Sequence, residues 1–279
     1  MSTVTAGDVK RLRELTGVGM MDCKEALQQA DGDFDEAIEL LRKKGQKVAA
    51  KRAERSATEG IVATATDDRA RTAVLVEVNS ETDFVARNDA FTSFADSVAQ
   101  TILRQQPSDL ASVGEISLEE GRNVSQAVTE LTGRMGEKID VRRFALLQAG
   151  EEESVVSYIH PGSKLGVLVH VTGTGAEVLA AARDVAMQVA AMNPVAATRE
   201  DVPKEVADKE LEIGRESARN EGKPENMLDR IAQGKLERYF KDNVLVEQPF
   251  VKDSSKSVKQ MLSESGTQVV RFVRFALGE

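Results

Sequence analysis

Apolar residues recur over positions 1–55 at the spacing of short amphipathic helices. Val9, Leu12 and Thr16 form the first set, which Gly17-Val18-Gly19 interrupts. Cys23, Ala26, Leu27 and Ala30 form a second, ended by Asp31-Gly32. Phe34, Ala37, Ile38 and Leu41 follow the i, i+3, i+4, i+7 rule of a third helix. Asp33 and Glu36 stand as a capping pair at its start, and Gly45 predicts its end. The basic residues from Arg42 to Arg55 then read as a solvated helix end and linker.

The period changes to two after residue 56, and the pattern occurs twice. Gly60–Val78 (GIVATATDDRARTAVLVEV) resembles Ser154–Val171 (SVVSYIHPGSKLGVLVHV), each a strand, a polar turn and a buried apolar strand. An amphipathic helix follows each copy, with Phe91, Phe94, Ala95, Val98 and Ile102 on one face of the first and Val178, Ala182, Val185 and Val189 on the second. Ile139–Leu147 and Val269–Leu277 read as further strands, and Leu110–Gly136 as helical material packed between the two halves. Positions 196–241 are highly charged with sparse apolar residues (Val206, Leu211, Met227, Leu228, Ile231 and Leu236). This predicts a helical hairpin that leaves the core or meets another chain, with self-association as one use.

The fold class is therefore α+β. A three-helix unit occupies 1–55, and a two-part duplicated core comprises 56–148 and then 149–195 with 242–279. The hairpin over 196–241 is inserted in the second part.

Composition removes several function classes. A net charge of -9 argues against nucleic acid as the main ligand, since phosphate binding needs clustered cations, and leaves only local basic patches open to it. One cysteine, Cys23, excludes an internal disulfide and a cysteine-based zinc site. No basic-then-apolar leader and no long apolar run occur, so a cytoplasmic location with no membrane association is expected. His170 lies within an apolar strand and His160 at a turn before Pro161-Gly162, and neither has a catalytic partner in the pattern. Gly173-Thr174-Gly175 imitates a dinucleotide turn, but Val178 occupies the position of its third glycine, and no phosphate-binding GxxxxGK[ST] loop is present. Direct nucleotide binding, resident cofactors and metal ions are not expected, and the chain does not read as an enzyme.

Two features instead point to contact with another protein. The polar loop Glu77–Asp89 (EVNSETDFVARND) carries Thr82, Asp83, Phe84 and Val85 between a strand and a helix. Phe84 there is either a probe that enters a partner or a staple folded back under the following helix. Met20 and Met21, adjacent in a glycine-flanked turn, are either a soft contact for a partner helix or a plug in the small N-terminal core.

Thr16–Leu27 (TGVGMMDCKEAL) with Asp31–Gly45 (DGDFDEAIELLRKKG), Asn79–Asn88 (NSETDFVARN), Ser157–Val171 (SYIHPGSKLGVLVHV), Ala186–Pro194 (AMQVAAMNP), Gln248–Asp253 (QPFVKD) and the final VRFVRFALGE resemble, in order, the bacterial elongation factor Ts family. The resemblance spans nearly the whole chain. It implies a guanine-nucleotide exchange factor for the translation GTPase elongation factor Tu. The implied fold has a ubiquitin-associated-like three-helix domain, a two-part core and a coiled-coil hairpin. It further implies that Thr82, Asp83, Phe84 and Val85 disturb the Mg²⁺ site of the GDP-bound partner. Arg13, Met20 and Met21 would grip the GTPase domain, and the region of His160 would face a more distant β-domain.

Overall fold

The computed structural model describes residues 4–118 and 121–279. Three helices open the chain: α1 (Ala6–Thr16), α2 (Met20–Gln29) and α3 (Phe34–Arg52). A reciprocal Thr5–Asp8 capping box starts α1, and Gly17, with φ of 67°, closes it in the left-handed conformation that glycine adopts without strain. The Asp33 carboxylate accepts the Glu36 N–H at 2.9 Å at the start of α3. Val9, Leu12, Cys23, Ala26, Leu27, Ala30, Ala37 and Leu41 form the small core. Ile38, expected on that face, is 38% exposed.

Gly45 does not end α3, which continues to Arg52. The glycine serves a close helix crossing with α7 (Val124–Met135). A Cβ built on Gly133 of α7 would lie 2.5 Å from the Gly45 Cα. Two backbones can approach this closely only where side chains are absent. The segment between 110 and 136 therefore does not sit between the core halves. Val113 of α6 (Leu110–Glu115) joins Val124, Ala127 and Leu131 of α7 in the first half's own core, and α7 meets α3.

The first half places β1 (Glu59–Thr66), β2 (Thr72–Ser80) and β3 (Asp140–Gln148) in one antiparallel sheet, order β1-β2-β3. Between β2 and β3 run the one-turn helix α4 (Asp83–Ala86), α5 (Asp89–Gln105), α6 and α7. The second half repeats the plan with β4 (Glu153–Ile159), β5 (Leu165–Thr172), α8 (Ala176–Met192) and, far along the chain, β8 (Val269–Ala276), in order β4-β5-β8. The correspondence reaches detail, since both central strands carry a register shift at the same place in the repeat, Glu77/Val78 and His170/Val171.

Strand alternation builds four layers. Val74, Val76 and Val78 of β2 face α5, while Val167, Val169 and Val171 of β5 face α8. The intervening residues turn the other way, so that Val62, Ala73, Leu75, Leu147, Val155, Leu168 and Phe275 fill a core between the two sheets. Gly166 sits where the sheets come closest, because a Cβ there would meet Val62 Cγ1 at 2.6 Å and Leu75 Cδ2 at 2.9 Å.

Polar side chains, Glu77 and His170 among them, are buried on the inter-sheet faces. Glu77 receives hydrogen bonds from Arg143 Nε at 2.6 Å and Arg142 Nη1 at 3.1 Å, and His170 Nε2 lies 2.9 Å from the Glu153 carboxylate. They occupy equivalent positions of the repeat. Burial of the Glu77 carboxylate without such partners would cost several kcal/mol, on the order of the penalty for an unpaired buried charge.

The charged insert forms α9 (Lys204–Asn220) and α10 (Leu228–Asn243), which pack against each other. Gly214 allows the approach, with Ala232 Cα 3.0 Å from a Cβ built on it. The seam is thin (Gly214, Ala218, Leu228, Ala232 and Leu236) and is reinforced by ion pairs Arg215–Asp229 and Lys235–Glu221. The base meets the second half through Ala196, Val202 and Val244, and residues 221–227 at the tip are exposed. Two short strands, β6 (Pro249–Phe250) and β7 (Asp253–Ser257), and α11 (Val258–Glu264) complete the second half around a buried Gln188–Gln248 hydrogen bond of 3.1 Å. Among the described residues no helix is long and apolar enough to cross a membrane.

Candidate functional site

The loop that follows β2 is short of regular structure but not of hydrogen bonds. Ser80 ends the strand and its hydroxyl donates to the Thr82 carbonyl at 2.9 Å. Thr82 caps α4, its hydroxyl accepting from the Val85 N–H. Thr82 N–H and Oγ1–H both donate to the Glu137 carboxylate, at 3.0 and 2.8 Å. Glu81 accepts the Lys138 N–H at 2.7 Å and two bonds from Arg52 Nη1 at 3.0 and 2.8 Å. The amide of Lys138 and the Arg52 guanidinium hold its carboxyl below the usual glutamate range. Asn88 caps α5 by accepting the Ala90 N–H at 2.9 Å.

Within this frame the alternation of the single turn sorts the side chains. Ala86 is buried and Val85 packs on the first half's core. Phe84 points the other way and is 84% exposed. Of the two readings the sequence allowed, the staple is thus Val85 and the projecting side chain is Phe84. Asp83 is half-buried and paired with Arg87 at 2.8 Å, so the loop presents an ion pair beside the phenyl ring rather than a bare carboxylate.

Met20 and Met21 are the first residues of α2, not part of a loop, and both are exposed, Met21 at 75%. Gly19 caps the helix without a side-chain bond. Arg13 is exposed in the last turn of α1, and Leu15 near it is exposed as well. Cys23 is buried, its Sγ donating to the Val18 carbonyl at 3.5 Å.

His160 is exposed at the turn between β4 and β5, with Nδ1 3.0 Å from the Tyr158 hydroxyl. This turn is fastened to the first half. The Ser163 carbonyl accepts the Val62 N–H at 2.6 Å, and Lys164 Nζ donates to Glu59 at 2.7 Å. Glu59 pairs with Ser80 in the sheet, so the His160 turn and the Thr82–Val85 loop reach the same end of the sandwich. Arg52 at the end of α3 ties the N-terminal unit to that end also, through Glu81.

No general acid–base arrangement emerges from these residues, and among the described residues no group of three or more His, Cys, Asp or Glu side chains is placed to hold a metal ion. What the geometry offers is a projecting aromatic on a braced loop and an exposed methionine pair. Of the bracing partners, Glu81 lies within the polar loop the sequence marks, but Glu137 and Arg52 gave no sign of a role in it. Glu137 lies 55 positions from Thr82, and Arg52 reads as one cation among many.

Residues 81–279 match the family model described as Elongation factor TS. The chain is similar along its full length to proteins named Elongation factor Ts. It is 48% identical to that of Thermobifida fusca (strain YX) over 284 residues, and 46% identical to that of Chlorobium phaeobacteroides (strain BS1) over 288. It is 48% identical to that of Christiangramia forsetii over 282 residues. All of both chains is covered in each case.

Proposed function

The chain belongs to the elongation factor Ts family of translation elongation factors, and from that premise we propose that it binds elongation factor Tu and releases its GDP by wedging Phe84 beside the Mg²⁺ and phosphate site. GTP then rebinds. A GTPase holds GDP largely through phosphate contacts and the magnesium ion that bridges them. Moving the elements that carry those ligands by a fraction of an ångström weakens metal and nucleotide together. No covalent step and no cofactor of this chain's own is required.

The observation that carries the reading is the 84% exposure of Phe84 on a turn whose neighbours are all tied down. An exposed aromatic on a preorganised loop has the character of an interface hot spot, because little ordering entropy remains to be lost when it is buried. The Asp83–Arg87 pair beside it supplies groups able to exchange partners with a polar switch region. Met20, Met21 and Arg13 form the second contact, gripping an apolar helix of the GTPase domain, and His160, oriented by Tyr158, forms the third. The three-helix unit acts as the ubiquitin-associated-like docking module, in the cytoplasm where translation proceeds. Linkage makes the cycle reversible, since a factor that weakens nucleotide binding is itself displaced when nucleotide arrives.

Release of a fluorescent GDP analogue from elongation factor Tu tests this directly. The wild-type chain should accelerate release, and Phe84→Ala should reduce the acceleration by roughly 30-fold or more, the loss expected of a hot spot. Full acceleration by the variant would place the mechanism elsewhere, and no acceleration by the wild-type chain would refute the exchange activity.

A further inference from the structure

We propose that Glu137 is a positioning residue for nucleotide exchange, holding the turn that carries Phe84 at the angle from which it acts. This rests on the wedge reading of Phe84. The physical need is plain. A four-residue helix is far too short to hold itself together, since isolated helices are marginal below about 12–15 residues. Its internal backbone bonds are long, 3.3 Å from Ala86 N–H to Thr82 O and 3.2 Å from Arg87 N–H to Asp83 O. Something outside the helix must set its direction.

Glu137 is placed to do so. One of its carboxylate oxygens takes the backbone N–H of the cap residue and the other takes the same residue's hydroxyl hydrogen, at 3.0 and 2.8 Å. The second bond fixes the rotation of the Thr82 hydroxyl, leaving a lone pair for the Val85 N–H. The first bond satisfies an N–H in the chain entering the helix. Both bonds go to a carboxylate, and such charge-assisted bonds are about twice as strong as neutral ones.

The latch is reciprocal. Residue 81 accepts from the backbone of residue 138 while residue 82 donates to the side chain of residue 137, so the two segments clasp each other. Gly136, in the left-handed conformation at the end of α7, turns the chain so that Glu137 and Lys138 face the loop. Arg52 then secures Glu81 from the N-terminal unit. The same helix α7 crosses α3 at Gly45 and Gly133. The wedge is therefore referenced to three elements at once, β2, α7 and α3.

The test compares Glu137→Ala, Glu137→Gln, Phe84→Ala and the double variant E137A/F84A in the GDP-analogue release assay. Each is titrated to separate the maximal rate from the concentration giving half of it. Loss of the latch should lower the maximal rate of E137A by roughly tenfold, while half-saturation, set also by the methionine surface, shifts much less. E137Q keeps the shape and one acceptor and should fall between wild type and E137A. In the double variant the losses should not add, because a mispositioned ring and an absent ring fail in the same way.

Thermal unfolding of each variant accompanies the kinetics, and E137Q decides the matter should E137A fail to fold. Full maximal rate in both Glu137 variants, with Phe84→Ala defective, overturns the positioning role and leaves the wedge intact. Additive losses in the double variant overturn it as well. Full rate in Phe84→Ala refutes the wedge itself, and the positioning role falls with it.

Discussion

Alanine at the two glycines of the α3–α7 crossing should act with opposite signs, although the residues touch each other. Both lie inside helices, where glycine is about 0.8–1.0 kcal/mol worse than alanine. Seen from Gly45, a new Cβ would stand 3.5 Å from the Gly133 Cα, an ordinary contact. Gly45→Ala should therefore realise most of the propensity gain and stabilise by roughly 0.5–1 kcal/mol. Seen from Gly133, the new Cβ would stand 2.5 Å from the Gly45 Cα, with the carbonyl carbon at 3.3 Å. That neighbour is backbone and cannot swing away, so the helices must separate by several tenths of an ångström or more. Overpacking of this kind costs about 1–3 kcal/mol. The upper part of that range applies here, leaving Gly133→Ala net destabilised by roughly 1–2 kcal/mol after the propensity gain. Urea denaturation followed by circular dichroism at the helical band reads both, with hydrogen exchange of α3 and α7 amides to localise the change. In thermal unfolding the shifts should be roughly 2–4 °C per kcal/mol for a chain of this class. If both variants were stabilised equally, the close backbone crossing would be wrong.

Other expectations follow from the buried interfaces. Gly166→Val should destabilise by roughly 2–3 kcal/mol in chemical denaturation, because its branches would enter space held by Val62, Leu75 and Ile159 between the sheets; unchanged stability would mean that the sheets are not this close. Glu77→Ala should cost roughly 1–3 kcal/mol by the same measurement, since Arg142 and Arg143 lose the carboxylate they share but stay partly solvated and keep bonds to the Glu279 and Ala276 carbonyls. The Glu81 carboxyl is held below its ordinary value, so its contribution to stability is complete above the normal glutamate range, about pH 4.3, and is lost as pH falls through the depressed folded value. Wild type and Glu81→Gln should accordingly differ in stability at neutral pH and converge in acid, and a pH-independent difference would refute the assignment.

Much of the architecture was written in local periodicity. The alternation of Val74-Leu75-Val76 and Val167-Leu168-Val169 announces strands covered on both faces, and Phe91, Ala95, Val98 and Ile102 announce the helix over them. What local pattern does not carry is the identity of the neighbour. Gly45 looks like a stop because helix-ending glycines and helix-crossing glycines are the same residue, and only Gly133, 88 positions later, distinguishes them. Ile38 keeps helical spacing yet stands outside the small core, because three short helices offer too little surface to cover every apolar position. At the candidate site, the TDFV segment was conspicuous by its chemistry, while the orientation of Phe84 depends on Val85 and Ala86 winning the inward positions. Glu137 stayed silent because a lone glutamate after a glycine has no periodic signature.

A probe that is to displace groups in another molecule must yield less than they do, and the strand behind Phe84 bears on this. β2 is hydrogen-bonded on both sides, and its residues from Ala73 to Ser80 are buried. The turn that carries the ring follows directly on this nearly fully extended chain, which can neither stretch nor slip without shearing two ladders of hydrogen bonds together. In the equivalent place of the second half, β5 leads through the positive-φ glycines of Gly173-Thr174-Gly175 into α8, with no intervening one-turn helix. On the proposed wedge reading, the duplicated fold would resemble a tool with one end ground to an edge and the other left as the handle. Stiffness would then come from the repeat, and action from the turn that only the first copy carries.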